Sequence, residues 1–293
     1  MRSTVAQARS RVRPASWFRA LSRVPMGIYN HGALGYAKGA SYSALLSVFP
    51  VFAVTIAALS EANASAVAHR IADLLYEFSP PEVAQLLRSW FTEHIRHPQS
   101  LRVAAVLLSL WAASGVMASL IEAFQATYEK PDTRGVVHQR LLEIALVLLS
   151  LMPAVGATAL ILLGDWVETN VLGALGVLGT EDILRPGVRI IGRLVRYTVA
   201  LSSIGVVTMM LYWLGPDVKG HRRLAPGAVL ATTLWLALTQ SFAWYVRNYG
   251  NYNLLYGSVG AVVAFLVWMY LLALVAMAGC EFNAALDRTA GKN

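Results

Sequence analysis

From Asn248 to Cys280 the chain reads NYGNYNLLYGSVGAVVAFLVWMYLLALVAMAGC, thirty-three residues without one Asp, Glu, Lys, Arg or His, running on into Glu281-Phe-Asn283. A single α-helix of that length would measure roughly 50 Å at ~1.5 Å per residue, well past the ~30 Å hydrocarbon core of a bilayer. The stretch therefore predicts a turn followed by a transmembrane helix. Gly250-Asn-Tyr-Asn253 supplies the turn, because Gly and Asn tolerate the left-handed backbone that closes helices. The helix is expected over about 255–285, with Gly257 and Gly260 on a small-residue face suited to close packing.

The remainder of the chain repeats this signal. Of 293 residues, 57% are hydrophobic and 14% charged, against about 25% charged in soluble domains. The reading is an all-α polytopic membrane protein, a bundle of six transmembrane helices over about 38–59, 101–121, 141–163, 197–214, 226–245 and 255–285. Pro50 in the first span and Pro153 in the third each remove a backbone donor and predict kinks. Gly215-Pro216 ends the fourth span, and Pro226 suits the first turn of the fifth. Residues 61–100 read as an amphipathic helical external loop, with Val67, Ile71, Leu74, Leu75 and Phe78 on one helix and Ser79-Pro-Pro-Glu82 starting another. His94 and His97 in that loop have no acidic or sulfur ligand convincingly placed with them and read as loop histidines, not metal ligands.

Charge sets the orientation. Residues 1–36 form a basic arm: Arg2, Arg9, Arg11, Arg13, Arg19 and Arg23 all precede the first acidic residue, Glu61. Such an arm is drawn to anionic head groups and stays on the cytoplasmic side. Within it Trp17, Phe18, Leu21 and Val24 share a helical face, the pattern of a short interfacial helix. With six spans both termini lie on one side, and that side carries fifteen of the 24 Lys and Arg residues. Both termini, including the tail 287–293, are therefore expected in the cytoplasm, with the membrane domain over 37–286.

Three constellations stand out. Lys38, Glu122, Gln125, Glu143, Glu281 and Asn283 fall at the cytoplasmic ends of spans, where charge is costly unless paired or hydrated; Lys38 pairing with Glu122 or Glu281 would make a gate or head-group site, and simple snorkelling to water is the bland alternative. Arg185, Arg189, Arg193 and Arg196 step along one helical face at the outer end of span four. They suit an anion or head group, or pairing with Asp165, Glu168, Glu181 and Asp182. Tyr42, Gln240, Tyr245 and Tyr256 are candidate pathway-lining residues, although such groups also join helices by hydrogen bonds.

Enzymatic signatures are missing. There is no Walker A loop, dinucleotide glycine fingerprint, HExxH or GxSxG, and the acidic residues are spread rather than clustered as a metal-dependent nuclease needs. One cysteine, Cys280, excludes an internal disulfide and a Cys-based zinc site. No cofactor, metal or specific nucleic-acid partner is expected. The expected partners are membrane lipids and a small anionic or lipid-like substrate, with self-association through small-residue faces left open.

Four stretches resemble the YihY/BrkB family of bacterial inner-membrane proteins, formerly labelled ribonuclease BN-like. They are Gly39-Ala-Ser-Tyr-Ser-Ala-Leu-Leu-Ser-Val-Phe-Pro50; Trp111-Ala-Ala-Ser-Gly-Val-Met-Ala-Ser-Leu-Ile-Glu-Ala-Phe-Gln125; Leu211-Tyr-Trp-Leu-Gly-Pro216 with Arg222-Arg-Leu-Ala-Pro-Gly-Ala228; and Tyr256-Gly-Ser-Val-Gly-Ala261 running on to Gly279-Cys-Glu-Phe-Asn-Ala284. The resemblance implies a six-helix protein of the bacterial inner membrane. It carries no settled activity. Transport or lipid handling suits the residues better than the ribonuclease label, and a non-catalytic scaffold is the main alternative.

Overall fold

The computed structural model describes residues 14–61, 99–130, 133–151 with 153 and 156, 186–218, 222–249 and 259–290. Among the described residues the chain is all-helical, with no strand. Seven helices follow in order: α1 (Pro14–Asn30), α2 (Ala33–Glu61), α3 (Gln99–Thr127), α4 (136–151), α5 (Pro186–Leu214), α6 (Ala225–Tyr249) and α7 (Val259–Ala290). Three contain stretches long and apolar enough to cross a membrane: Val106–Thr127, Tyr197–Leu214 and Val262–Thr289. The external loop expected over 61–100 lies outside the described residues except at its ends, as do Gly250–Ser258 and Arg185.

Helix ends follow the local chemistry. Helix α5 stops at Leu214, before Gly215-Pro216, and α6 begins at Ala225 with Pro226 in its first turn, where the missing N–H has no partner to lose. Gly32, with φ +67, turns the chain between α1 and α2 in the left-handed region that Gly adopts without strain. Helix α2 continues through Pro50 without interruption, so that proline does not break the helix.

The core is built on small residues. Ala33, Ala37 and Ala40 of α2 are buried with Leu120, Ala123 and Phe124 of α3, Tyr212 of α5, Ala228 and Ala231 of α6, and Ala273, Met277 and Cys280 of α7. Helices α2 and α3 form the most extensive pair, and glycine faces serine across it in both directions. A Cβ at Gly39 would stand 3.0 Å from Ser119 Oγ, and one at Gly115 would stand 2.8 Å from Ser43 Oγ. Small residues let two backbones approach where lipid supplies no hydrophobic drive to pack.

Helix α7 is the pillar of the bundle. Val262, Val263 and Val267 near its start are exposed, whereas every residue from Met277 to Leu286 is buried. Its closest backbone approach is to α6: a Cβ on Gly279 would stand 2.6 Å from Gly227 O and 2.8 Å from Ala231 Cβ, and would also collide with Tyr212 Oη of α5. Gly260 is buried as well, but the tightest small-residue crossing on α7 is at Gly279. Helix α1 seats Ala20 and Val24 against Ala278, Phe282, Ala285 and Leu286 of α7. The face read as wholly interfacial is thus divided, with Val24 turned inward and Phe18 outward.

Candidate functional site

Above the buried end of α7 the helices leave a half-open cavity of about 290 Å³. Every helix from α2 to α7 contributes to its wall, through Ala44, Leu120, Pro153, Thr208, Thr232 and Ala276 among others. The lining is almost wholly apolar. Three of its hydroxyls are spent on their own helices: Ser150 Oγ donates to Val147 O at 2.8 Å, Ser203 Oγ to Ala200 O at 2.7 Å, and Thr208 Oγ1 to Ile204 O at 2.9 Å. Thr232 Oγ1 is buried and has no hydrogen-bond partner among the described residues. A cavity with this lining holds water poorly, since a buried water needs two to four polar partners, and suits a hydrocarbon group.

Next to the cavity wall at Leu120 and Ala276 lies an aromatic pair. Tyr212 and Phe124 meet edge to face with centroids 5.2 Å apart, and Tyr212 Oη donates to Ala276 O at 2.6 Å. Beneath them lies a polar layer. Glu281, 3% exposed, accepts from Thr127 Oγ1 at 2.8 Å through Oε1, and His31 Nδ1 lies 2.5 Å from the same oxygen. Gly27 of α1 abuts the carboxylate so closely that any Cβ there would collide with it. On the far side of the ring, His31 Nε2 is 3.6 Å from Glu129 Oε1. The imidazole therefore bridges a buried carboxylate and an exposed one. Arg288 Nη2 completes the group, donating to Glu129 Oε1 at 3.0 Å and to Thr127 O at 2.7 Å.

Asn283 is fully buried, and both ends of its amide are committed to α6. Oδ1 accepts from Gly227 N–H at 2.7 Å and Nδ2 donates to Leu224 O at 3.0 Å. Gly227 carries one of the first-turn N–H groups that no helical carbonyl can serve, so Asn283 caps α6 from another helix. Arginines close the end of α5 here. Arg134 donates to Leu214 O at 3.2 Å and Gly215 O at 2.6 Å, and Arg222 to Tyr212 O at 3.2 Å and Trp213 O at 2.7 Å. Both cations sit at the negative end of the α5 dipole. The Arg222 guanidinium also lies 5.6 Å from the Tyr128 ring centroid. Burial pushes the Tyr128 hydroxyl well above its ordinary range, Cys280 and Asp287 add to this, and Arg222 opposes it.

The residues singled out from the sequence divide accordingly. Glu281 and Asn283 lie two positions apart in the polar layer but serve different neighbours. Lys38 is exposed and forms no ion pair among the described residues, and Glu281 takes His31 and Thr127 as partners instead. Glu122 is exposed, while Gln125 is buried in α3. Glu143 is buried and pairs with Arg140 at 2.8 Å, one turn back on α4. Pro153 lines the cavity, whereas Tyr42, Gln240 and Tyr245 are exposed. Arg189, Arg193 and Arg196 belong to α5, but their side chains lie outside the described residues, as do Arg185, Tyr256 and Gly257. Among the described residues, no group of three His, Cys, Asp or Glu side chains is placed to hold a metal.

Comparison with known proteins places these features in a family context. Residues 27–293 match a family model described as Virulence factor BrkB. The ribonuclease-like protein YfkH of Bacillus subtilis (strain 168) is 26% identical over 87% of this chain and 90% of its own length. A UPF0761 membrane protein of Alkalilimnicola ehrlichii is 23% identical over 98% of this chain but only 63% of its own length, so the chain spans under two thirds of that relative. A UPF0761 membrane protein of Photobacterium profundum is 24% identical over 87% of this chain and 77% of its own. No solved structure matches the chain.

Proposed function

The chain belongs to the Virulence factor BrkB family of membrane proteins, and on that premise we propose that it handles a lipid-like, anionic substrate whose hydrocarbon part enters the interhelical cavity. In this reading it is a six-span protein of the bacterial cytoplasmic membrane with both termini in the cytoplasm, and the work it does is transport or lipid handling. One observation carries the proposal: an apolar space of about 290 Å³ is walled by all of α2 to α7. That is roughly twice the ~150 Å³ of an engineered apolar cavity that takes up benzene. It falls near the lower end of the ~300–1,000 Å³ typical of ligand pockets.

The ribonuclease-like name of the Bacillus relative suggests a nuclease. That reading ranks lower, because the buried carboxylates are already engaged: Glu143 with Arg140, and Glu281 with His31 and Thr127. Chemistry on a phosphodiester would need carboxylates or histidines grouped around a divalent ion.

The test is photo-cross-linking in lipid nanodiscs with a phospholipid carrying a diazirine in its acyl chain. Cross-links should map to the cavity walls, around Ser203–Thr208 and Met269–Ala276. Ala44→Trp and Thr208→Trp, which fill the space, should remove them while labelling of the outer surface persists. Cross-links confined to the outer surface and indifferent to both substitutions would refute cavity binding. Reconstitution with labelled lipids and organic anions then separates transport from scaffolding, since a scaffold moves none of them.

A further inference from the structure

Helix α1 has three faces, and its packing on α7 uses one. Ala20 and Val24 are buried on α7, and Gly27 lies against Glu281. At ~100° per residue, Leu21, Pro25, Phe18 and Tyr29 follow about 60–140° round the helix from Val24. All four are exposed, Phe18 at 77% and Tyr29 at 74%. Arg19 and Arg23 come about 220–260° round, and both are exposed. The helix is thus held in place by its first face while an apolar strip and a basic edge are presented side by side.

A surface complementary to both must offer an apolar interior beneath a layer of negative charge. A leaflet containing anionic phospholipid has that order built in. The charge of the region points the same way, because no acidic residue occurs before Glu61 while Arg2, Arg9, Arg11 and Arg13 precede the helix. We infer that α1 is a docking helix for anionic phospholipid. Phe18, Leu21, Pro25 and Tyr29 sink to the acyl boundary, and Arg19 and Arg23 take phosphate oxygens. This surface is separate from the cavity, to which α1 contributes no residue, so either proposal can fail alone.

The experiment uses the full chain in nanodiscs, with a nitrobenzoxadiazole label on Ser22→Cys, an exposed position between strip and basic edge; Cys280 is buried and stays unlabelled. Brominated phosphatidylglycerol is titrated against phosphatidylcholine, and quenching reports which lipid sits beside α1. Phosphatidylglycerol should be enriched at the label. With each basic residue near a charged surface changing affinity about fivefold, Arg19→Gln combined with Arg23→Gln should cut that preference roughly thirtyfold. Raising the salt should weaken it in the unsubstituted helix, which needs no variant to fold. Equal quenching by both brominated lipids, or a preference indifferent to salt, would overturn the inference. A label quenched by neither lipid would also overturn it and assign the face to a protein partner.

Discussion

Replacing Asn283 with alanine is the sharpest test of how the buried end of α7 works. The substitution removes the acceptor of Gly227 N–H at 2.7 Å and the donor to Leu224 O at 3.0 Å, at a side chain with no exposed surface. Each hydrogen bond contributes about 1 kcal/mol net, and a buried N–H left without a partner costs about 1–3 kcal/mol. These quantities overlap, so the expected loss is about 2–4 kcal/mol. It should be read from equilibrium unfolding in mixed micelles, together with hydrogen exchange at the start of α6. Exchange should accelerate first around Gly227 and Ala228, because the cap protects the first turn and not the helix as a whole. Asn283→Asp sharpens the comparison. It keeps an acceptor for Gly227 but turns a second oxygen toward the Leu224 carbonyl, so at neutral pH it should be no more stable than the alanine variant. A loss under about 0.5 kcal/mol for Asn283→Ala, the size typical of surface changes, would refute the capping role.

The remaining predictions concern packing and pairing. Gly279→Ala should cost about 1–3 kcal/mol or more, since its Cβ meets Tyr212 Oη, which is tied to Ala276 O, as well as the Gly227 backbone and Ala231, and none of these yields readily. Among the described residues Gly205→Ala has only Thr232 Oγ1 within reach, at 3.8 Å, and should be neutral or stabilising by up to about 1 kcal/mol; thermal unfolding of the two variants side by side checks the contrast. His31→Ala should destabilise more than Glu281→Gln, because it leaves a buried carboxyl group in place while removing a partner 2.5 Å away, a loss of about 3–5 kcal/mol for a buried pair. The double variant should then be more stable than His31→Ala alone, and additive losses in that cycle would count against direct pairing.

Much of the architecture is local and was readable from the sequence. The stop at Leu214 and the start at Ala225 follow from Gly215, Pro216 and Pro226, and the apolar runs set the helices between them. What the sequence conceals is partnership across distance. His31 attracts no notice beside Gly32, because its partner Glu281 stands 250 positions away. Arg134 and Arg222 register only as positive charges that orient a chain in the membrane, whereas in the fold they cover the last carbonyls of α5. Lys38 was the natural partner for a buried glutamate on charge alone. Its helix face points outward, and the α1–α2 turn brings a histidine to the carboxylate instead. The cavity is the least legible feature. Alanine, serine and threonine occur throughout such helices, and whether they leave a void depends on how the neighbouring side chains interlock, which periodicity does not encode.

The distribution of polar contacts along α7 explains why the cavity lies where it does. Between Ala276 and Asn283 the helix is tied to several of its neighbours by a specific hydrogen bond or close polar contact. Tyr212 of α5 reaches Ala276 O, Thr127 of α3 and His31 of the α1–α2 turn reach Glu281, and Gly227 and Leu224 at the start of α6 reach Asn283. Contacts of this kind hold one register, because sliding a helix by a single residue would strand several buried polar groups together. Toward Val262 no such ties are present among the described residues, and the packing rests on dispersion between apolar surfaces, which adjusts at small cost per atom. The bundle is consequently clamped at the Glu281 end and compliant above it, and the cavity opens immediately beyond the last tie at Ala276. A hydrocarbon group entering there displaces no hydrogen bond. The helices can separate around it while Glu281 and Asn283 keep their partners, so the substitutions that fill the cavity and those that loosen the clamp should act independently.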